Sequence, residues 1–327
     1  MASGELSERA AQLCRDSVII DMVLPYEFEI GNDVRLFPRW ANSGFSFLSV
    51  HPAGDRHTVG EAVRRIARCR NDILSRSDCY VLVETVDDIH RARAAGKLGV
   101  GLHLEGSRLL ERDLNMVEVY YQLGVRFCHP VFNQQQEFGG GSGDPVDGGL
   151  TRWGRRVVQE MNRVGMLLDG AHVGYRTTMD IMEMTTLPFI FSHNGLCGVY
   201  DHFRNVEDDQ LRACAKTGGV VGVSGANNYL GDEPTNETLF RHIDYVVQRV
   251  GPDHVGIGFD YVDATELLNA FVKSRPDEWP GSWRPWKFAT PEQVPSLVDF
   301  LLNRGYSDST IKKLLGENWL RVAAAWK

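Results

Sequence analysis

Short apolar runs alternate with longer amphipathic segments along most of this 327-residue chain. The runs are continuously apolar, which is typical of strands that are buried on both faces of a parallel sheet. They occupy residues 17–21, 45–50, 98–105, 125–131, 165–172, 188–193, 218–225 and 254–260.

The segments between these runs have helical periodicity. Residues 58–74 and 239–250 carry apolar side chains three and four positions apart, and residues 151–164 begin at Thr151, a suitable N-cap. Eight strand–helix units predict an α/β protein with a closed (β/α)8 TIM barrel in a single domain over residues 1–327. A doubly wound open sheet is the alternative, but the glycines at 139–143 lack the spacing of a phosphate-binding loop.

Two long segments interrupt this alternation. Residues 132–149 are rich in glycine, and residues 261–290 are rich in tryptophan and proline. Each follows the carboxyl end of a predicted strand, where the active sites of barrels lie. Long loops in compact domains are usually functional or disordered. We therefore expect these two to extend over the C-terminal face, with plain surface loops as the alternative.

Composition excludes several classes of function. The net charge is −8, and no dense cluster of Lys and Arg appears, which argues against a nucleic-acid partner. The six cysteines are scattered without a CxxC pair, as expected of reduced thiols. The N-terminus is polar, and no apolar stretch approaches the length of a membrane span. We expect a cytoplasmic protein without a membrane partner.

Polar residues at the ends of the predicted strands carry the candidate chemistry. A barrel directs its strand ends toward one axial cavity, where two imidazoles and two carboxylates would suit Zn²⁺ or a similar ion. A single such histidine is more often structural, but four residues at equivalent positions favour a metal or catalytic cluster. These residues are Glu105, His172, His193 and Asp260.

Arg204 follows the sixth predicted strand. An arginine near a metal cavity is suited to binding a substrate carboxylate through its bidentate guanidinium. A surface ion pair with the adjacent acidic residues is the alternative.

Several stretches resemble the renal (membrane) dipeptidase family within the amidohydrolase superfamily. The resemblance runs from about residue 16 to the C-terminus and is densest after residue 98. It is carried in order by "LGVRFCHPVFN" (123–133), "LDGAHVG" (168–174), "PFIFSHNGL" (188–196), "FRNVEDDQL" (203–211), "HVGIGFD" (254–260) and "LLGENWLRV" (314–322).

This resemblance implies a (β/α)8 barrel of the metallo-dependent hydrolase type, with a two-metal site, usually zinc, that hydrolyses dipeptides. Glu105 matches the glutamate that bridges the metals, and His172 and His193 match the histidines that complete one metal site. Arg204 matches the arginine that binds the substrate carboxylate. Asp260 matches the acid that handles the proton.

The sequence departs from the family pattern at two places. The first strand of the family ends in Asp-Gly-His-x-Asp, but here Val23 and Pro25 occupy the ligand positions, and their side chains cannot bind a metal. Phe132 occupies the place of a histidine that polarises the scissile carbonyl. We therefore expect one ion, zinc or another divalent metal, held by Glu105, His172 and His193.

Other residues are secondary candidates for replacing the missing ligands. His103 precedes Glu105 by two residues and faces the same way, but it lies about 6.5 Å deeper, where filling the barrel interior is the simpler role. His129 precedes Phe132 by three residues, which on a regular strand places them on opposite faces, although the proline that follows can break that regularity. The directions of Glu27 and Glu29 are not set by the pattern.

Three functions fit these observations. The first is a metal-dependent hydrolase that cleaves a dipeptide or a similar small carboxylate-bearing amide, with Asp260 as general base. The second is a barrel enzyme with altered chemistry (another amide, a lactone, or a lyase or isomerase step) on a carboxylated metabolite. The third is a non-catalytic binder of small molecules. A homodimer is possible, because Trp279, Trp283 and Trp286 suit either a pocket or a partner surface.

Overall fold

Parallel strands form the centre of the molecule in a computed structural model, which describes residues 6–26, 28–281 and 283–326. In these residues the strands are β1 (Ile20–Pro25), β2 (Phe47–His51), β3 (Tyr80–Leu82), β4 (Leu98–Glu105), β5 (Val125–His129), β6 (Leu167–Leu168), β7 (Ile190–Asn194), β8 (Val220–Val223) and β9 (Val255–Ile257).

The strands close into a ring. One sheet has the order β1-β2-β4-β5-β6 and the other β7-β8-β9, and every registered pair is parallel. The N–H of Gly170 donates to the carbonyl of Ile190 at 2.8 Å, and the N–H of Asp260 donates to that of Val23 at 3.2 Å. These bonds join the two sheets at both edges. The predicted (β/α)8 barrel is confirmed, and closure excludes the open doubly wound sheet.

Some predicted strands differ from those observed. The first run was placed at 17–21, but Ser17 ends a helix by donating its hydroxyl to the Leu13 carbonyl at 2.6 Å, so β1 begins only at Ile20. The short strand β3 was not predicted, and it pairs with β4 outside the path around the ring. β6 and β9 are shorter than the apolar runs that contain them.

Helices surround the barrel. Thr58 and Thr151 cap two of the predicted helices by accepting hydrogen bonds from the first turn. None of the helices in the described residues combines the length and hydrophobicity that a bilayer span needs. The helices are α1 (Glu8–Asp16), α2 (Phe37–Asn42), α3 (Val59–Leu74), α4 (Val86–Ala94), α5 (Asn115–Gln122), α6 (Arg152–Val164), α7 (Tyr175–Met184), α8 (Asp208–Lys216), α9 (Asn227–Leu230), α10 (Asn236–Val250), α11 (Thr265–Lys273), α12 (Val294–Asn303), α13 (Asp308–Lys312) and α14 (Asn318–Ala323).

The barrel interior is packed with apolar side chains below the strand ends. Phe47, Phe127, Leu167 and Ile190 belong to one buried cluster together with Trp319 of α14. The indole N–H of Trp319 donates to the carbonyl of Ile257 at 3.1 Å, which fixes α14 against β9. A filled interior leaves the carboxyl ends of the strands as the place for a site.

A buried carboxylate stabilises the closure between β9 and β1. Asp21 accepts hydrogen bonds from the N–H groups of Phe259 at 3.0 Å and Val23 at 3.2 Å, and from the indole N–H of Trp40 at 2.9 Å. Burial raises the pKa of Asp21 to about 6, against the effect of these three donors. The side chain thus connects β1, α2 and the segment after β9.

Asp21→Asn tests this connection. The substitution replaces one acceptor oxygen with an NH2 group. This group then faces another donor, either the indole N–H of Trp40 or the backbone N–H groups. We expect the free energy of unfolding to fall by about 1–3 kcal/mol, the cost of an unsatisfied buried polar group. Urea denaturation followed by circular dichroism measures it. Asp87→Asn, at an exposed position of α4, is the matched control. Equal stability of the two variants would contradict a structural role for Asp21.

Candidate metal centre

The carboxyl ends of neighbouring strands bring four imidazoles around one carboxylate. Glu105 ends β4 and is paired in register with His129, which ends β5. His51 ends β2, and His193 lies in β7. Glu105 Oε1 lies 3.3 Å from His51 Nε2 and 3.4 Å from His129 Nε2. Together with His172, all five side chains are buried.

The predicted ligands meet in this cluster. Glu105, His129 and His172 each offer one ligand atom, and these atoms lie within 4.8 Å of one another. His193 joins them through its Nε2, which lies 3.0 Å from Nε2 of His172. The structure therefore brings together Glu105, His172 and His193, and adds the secondary candidate His129.

Three residues at the site have left-handed backbone conformations. The φ angles are +57° at Asn133, +66° at His172 and +56° at Asp260. Such values are uncommon outside glycine, although Asn, Asp and His tolerate them best, and they often cluster at functional sites. His172 and Asp260 thus lie in short segments after β6 and β9, and the prediction that they end their strands was wrong in this detail.

The hydrogen bonds around His172 assign its protons. Asn133 Nδ2 donates to the carbonyl of Glu278 at 3.0 Å, so Asn133 Oδ1 is the acceptor that faces His172 Nδ1 at 2.8 Å. Nδ1 of His172 therefore carries the hydrogen. Burial, and then the charge of Arg204, hold the pKa of His172 well below its usual value. The ring is neutral, and its Nε2 presents a lone pair.

His193 has the same arrangement. Arg204 Nη2 donates to His193 Nε2 at 3.3 Å, and the Nδ1–H of His193 donates to Ser192 Oγ at 2.8 Å. Burial, followed by the charge of Arg204, lowers the pKa of His193 to about 3. The Nε2 atoms of the two neutral rings face each other across 3.0 Å. Two neutral imidazole nitrogens this close, near a carboxylate, form a donor set that fits a metal ion.

His129 lies between two carboxylates. Its Nδ1 is 3.7 Å from Asp169 Oδ2, which is too long for a hydrogen bond but within ion-pair range. Burial lowers the pKa of His129, but the charges of Glu105 and Asp169 outweigh burial and raise this pKa to about 9. Asp169 also accepts hydrogen bonds from the N–H groups of Ala171 and Ser192, which ties β6 to β7.

Two further predicted residues lie beside the cluster. Asp260 lines the cavity above it, and burial, then the charge of Glu105, raises the pKa of Asp260 well above its ordinary value. Arg204 is buried, with 3% of its surface exposed, and its guanidinium lies 4.9 Å above the ring of Tyr229. Its position is thus inside the protein, whereas a surface ion pair was the alternative.

The remaining candidates lie elsewhere. His103 is deeper in the barrel, with Nδ1 2.9 Å from Ser49 Oγ and its ring stacked on Phe127 at 4.4 Å. Glu29 is half exposed and pairs with Arg65 at 3.2 Å. Glu27 lies outside the described residues.

The residues that depart from the family pattern lie in the barrel interior or at the cavity. Val23 is fully buried in the apolar cluster of the barrel interior, and Pro25 lines the cavity beside His51, its partner in register. Phe132 stacks on the ring of His172 with centroids 4.2 Å apart. Both departures replace polar chemistry with apolar surface.

A small cavity of about 50 Å³ opens above the cluster. Its floor is polar and its walls are mostly apolar and aromatic. Both long loops contribute to it: Phe132 comes from 132–149, and the wall from 261–290 includes Val262, Leu268, Phe271, Trp279, Trp286 and Phe288.

Sequence reasoning missed three residues of the centre. His51 immediately follows the second apolar run, so the rule that singled out the other strand ends would have found it one position later. Asn133 and Asp169 hold histidines through hydrogen bonds or charge, and no local pattern marks them. They become evident only when the strands are placed side by side.

Comparisons with known proteins agree with this geometry. Residues 39–275 match the membrane dipeptidase family (peptidase family M19). An uncharacterized protein in the pqqA 5′ region of Klebsiella pneumoniae is 32% identical over 248 residues, which are 72% of this chain and 84% of that protein. Among solved structures, an amidohydrolase from Pseudomonas aeruginosa is 29% identical with a TM-score of 0.86, over 97% of this chain and 99% of its own.

A metallopeptidase from Rhodobacter sphaeroides, liganded with a phosphinate mimic of the dipeptide L-Ala-D-Ala, has a TM-score of 0.76. It covers 95% of this chain and 100% of its own, but at 22% identity this likeness shows the fold alone. The family match is the stronger finding, because it covers most of the chain and includes every residue of the buried cluster. The chain therefore belongs to the membrane dipeptidase family, peptidase family M19, and is a metallo-hydrolase.

Proposed function

We propose that this protein is a zinc-dependent dipeptidase, which cleaves a dipeptide or a similar small amide with a free carboxylate. Glu105, His172 and His193 hold the ion. The observation that carries the proposal is the pair of facing Nε2 atoms of His172 and His193, which lie 3.0 Å apart, together with Glu105, which lines the cavity with His172.

The donor set favours zinc over the harder cations. Imidazole nitrogens with one carboxylate suit Zn²⁺, whereas Mg²⁺ and Ca²⁺ prefer oxygen ligands. Asn133 orients the ring of His172 from behind, as the partners of metal-binding histidines commonly do. A bound divalent cation supplies two functions at such a site, since it activates water at neutral pH and polarises a carbonyl.

Asp260 is placed to move the proton. Its carboxylate lines the cavity together with Glu105 and His172, so it faces any substrate seated there. In its ionised form it accepts the proton of the attacking water and then delivers it to the leaving amine. Its raised pKa favours the first of these steps, because the conjugate base of a weaker acid accepts a proton more readily.

Arg204 is suited to the carboxylate of the substrate. Its Nε has no hydrogen-bond partner among the described residues, although the side chain is buried. A buried guanidinium with a free donor is ready for a bidentate contact with a carboxylate. This requirement for a carboxylate is what separates a dipeptidase from an endopeptidase.

One observation favours a second candidate function. Phe132 brings an aromatic ring to the place of the carbonyl-polarising histidine, and the cavity walls are otherwise apolar. A substrate whose carbonyl needs less polarisation, such as a lactone or an activated amide, would suit this environment. Lyase or isomerase chemistry on a carboxylated metabolite belongs to the same alternative.

A substrate panel tests the function. Purified protein should hydrolyse L,L- or L,D-dipeptides, lose that activity to a chelator, and regain it with Zn²⁺. Glu105→Gln should abolish both activity and zinc binding, because it removes the only carboxylate among the three proposed ligands. Hydrolysis of lactones but of no dipeptide would support the second candidate instead. Absence of any metal-dependent hydrolysis would refute the proposal.

Arg204→Ala should act mainly on substrate binding. Loss of a charge-assisted contact worth about 1.5–3 kcal/mol predicts a kcat/KM that is roughly 10–100-fold lower, mostly through KM. The same substrate with its carboxylate capped as an amide should show no such difference between wild type and variant. Arg212→Ala, at an exposed position of α8, is the control. An unchanged KM for the carboxylate substrate would rule out this role.

Asn133 allows positioning and backbone strain to be separated. Both Asn133→Gly and Asn133→Ala remove the acceptor for His172 Nδ1–H, so each should weaken zinc binding about 10–100-fold. Both variants lose the hydrogen bond to the Glu278 carbonyl, but alanine should be less stable than glycine by about 1–2 kcal/mol, because the backbone at this position is left-handed. Chelator competition and thermal melting measure the two effects. If Asn133→Gly keeps wild-type affinity, the amide does not orient the ligand.

A further inference from the structure

We propose that this chain has a second site for a divalent transition-metal ion, formed by His51, Glu105 and His129, which replaces the ligands missing from β1. The inference rests on the proposed function, because Glu105 then bridges the two ions. Neither His51 nor His129 belongs to the ligand pattern implied by the resemblance, so this ligand set differs from that pattern.

The position of His51 is the first argument. Pro25 on β1 occupies the place of a lost ligand, and His51 on β2 is its partner in register. Adjacent strands lie about 4.8 Å apart, so the imidazole of His51 starts one strand away from the vacated position and at the same height. Both residues line the cavity. In this proposal His51 supplies from β2 the ligand that the family pattern supplies from β1.

The distances are the second argument. His51 Nε2 and His129 Nε2 lie 3.3 Å and 3.4 Å from the same atom, Glu105 Oε1. Two ligand atoms that are each about 2.0–2.1 Å from a tetrahedral zinc ion are separated by about 3.3 Å. Both contacts thus have the length of a tetrahedral edge, and both exceed the usual length of an N–H···O hydrogen bond.

The hydrogen bonding of His129 is the third argument. This side chain is completely buried, and neither ring nitrogen makes a hydrogen bond within the described residues. Nδ1 is directed at Asp169 and Nε2 at Glu105. Asp169 thus holds the ring from Nδ1 and turns Nε2 toward Glu105, as the partners of metal-binding histidines commonly do.

The donors also define the class of ion. Two imidazoles and one carboxylate select Zn²⁺, Mn²⁺, Co²⁺ or Fe²⁺ over Mg²⁺ and Ca²⁺. His103 lies below His51, with ring centroids 5.4 Å apart, and its Nδ1 faces Ser49. It therefore packs under the site without belonging to it.

Metal content tests the second site directly. Wild-type protein saturated with Zn²⁺ and freed of excess should contain about two equivalents per chain, the number of a bridged two-metal site, by inductively coupled plasma mass spectrometry. His51→Ala and His129→Ala should each lose about one equivalent and keep the other. His90→Ala, at an exposed position of α4, is the matched control and should keep the wild-type content.

A second measurement guards against variants that fail to fold. Zinc anomalous scattering from wild-type crystals should give two peaks, on opposite sides of the Glu105 carboxylate. A single peak, or full metal content in both histidine variants, would overturn the second site. A single peak would instead indicate that a protonated His129 lies between Glu105 and Asp169 without a second ion. Wild-type protein with one equivalent that still hydrolyses dipeptides would refute this inference alone, whereas bound metal without metal-dependent hydrolysis would refute the proposed function alone.

Discussion

A buried negative charge at Glu105 constrains everything around it. Transfer of a carboxylate from water into a protein interior is costly unless partners compensate for it, and here the surroundings are imidazoles from the neighbouring strands. Two further imidazoles bring their Nε2 atoms within 3.0 Å of each other at the same end of the barrel. A carboxylate among several imidazole nitrogens is a donor set that fits a metal ion. Compensation of this buried charge depends on the strands that bring the imidazoles together. It also depends on the packed interior below them and the loops above them.

The surroundings of the cluster strengthen its electrostatics. Apolar side chains fill the barrel beneath it, and aromatic rings from the two long loops form the walls above. Charges interact more strongly where water is excluded, so the attraction between Glu105 and a cation, or between Arg204 and a carboxylate, exceeds its value at the surface. Phe132 contributes by stacking on His172, which keeps that ring fixed as well as dry.

The sequence predicted the barrel because its signal is global. Eight continuous apolar runs separated by helical segments are consistent with few folds, and errors of a few residues at each strand do not change the conclusion. The site was predicted less evenly. His172 and His193 end apolar runs and are visible in the sequence, whereas Asn133 lies in a glycine-rich loop and reaches His172 only through a turn with positive φ. His51 was overlooked because its run was ended one residue early, and its importance depends on a register with β1 that no single segment encodes.

The left-handed conformations of Asn133, His172 and Asp260 have a consequence for the history of the site. At those positions most side chains would destabilise the fold before any effect on chemistry, so few substitutions are accessible there. The end of β1 is extended strand and accepts valine or proline readily. A lineage that altered its metal centre would therefore change the extended positions first and conserve the left-handed ones. In such a barrel, ligand positions on regular strands tolerate substitution more readily. Positions with a left-handed backbone are constrained by their conformation as well as by their chemistry.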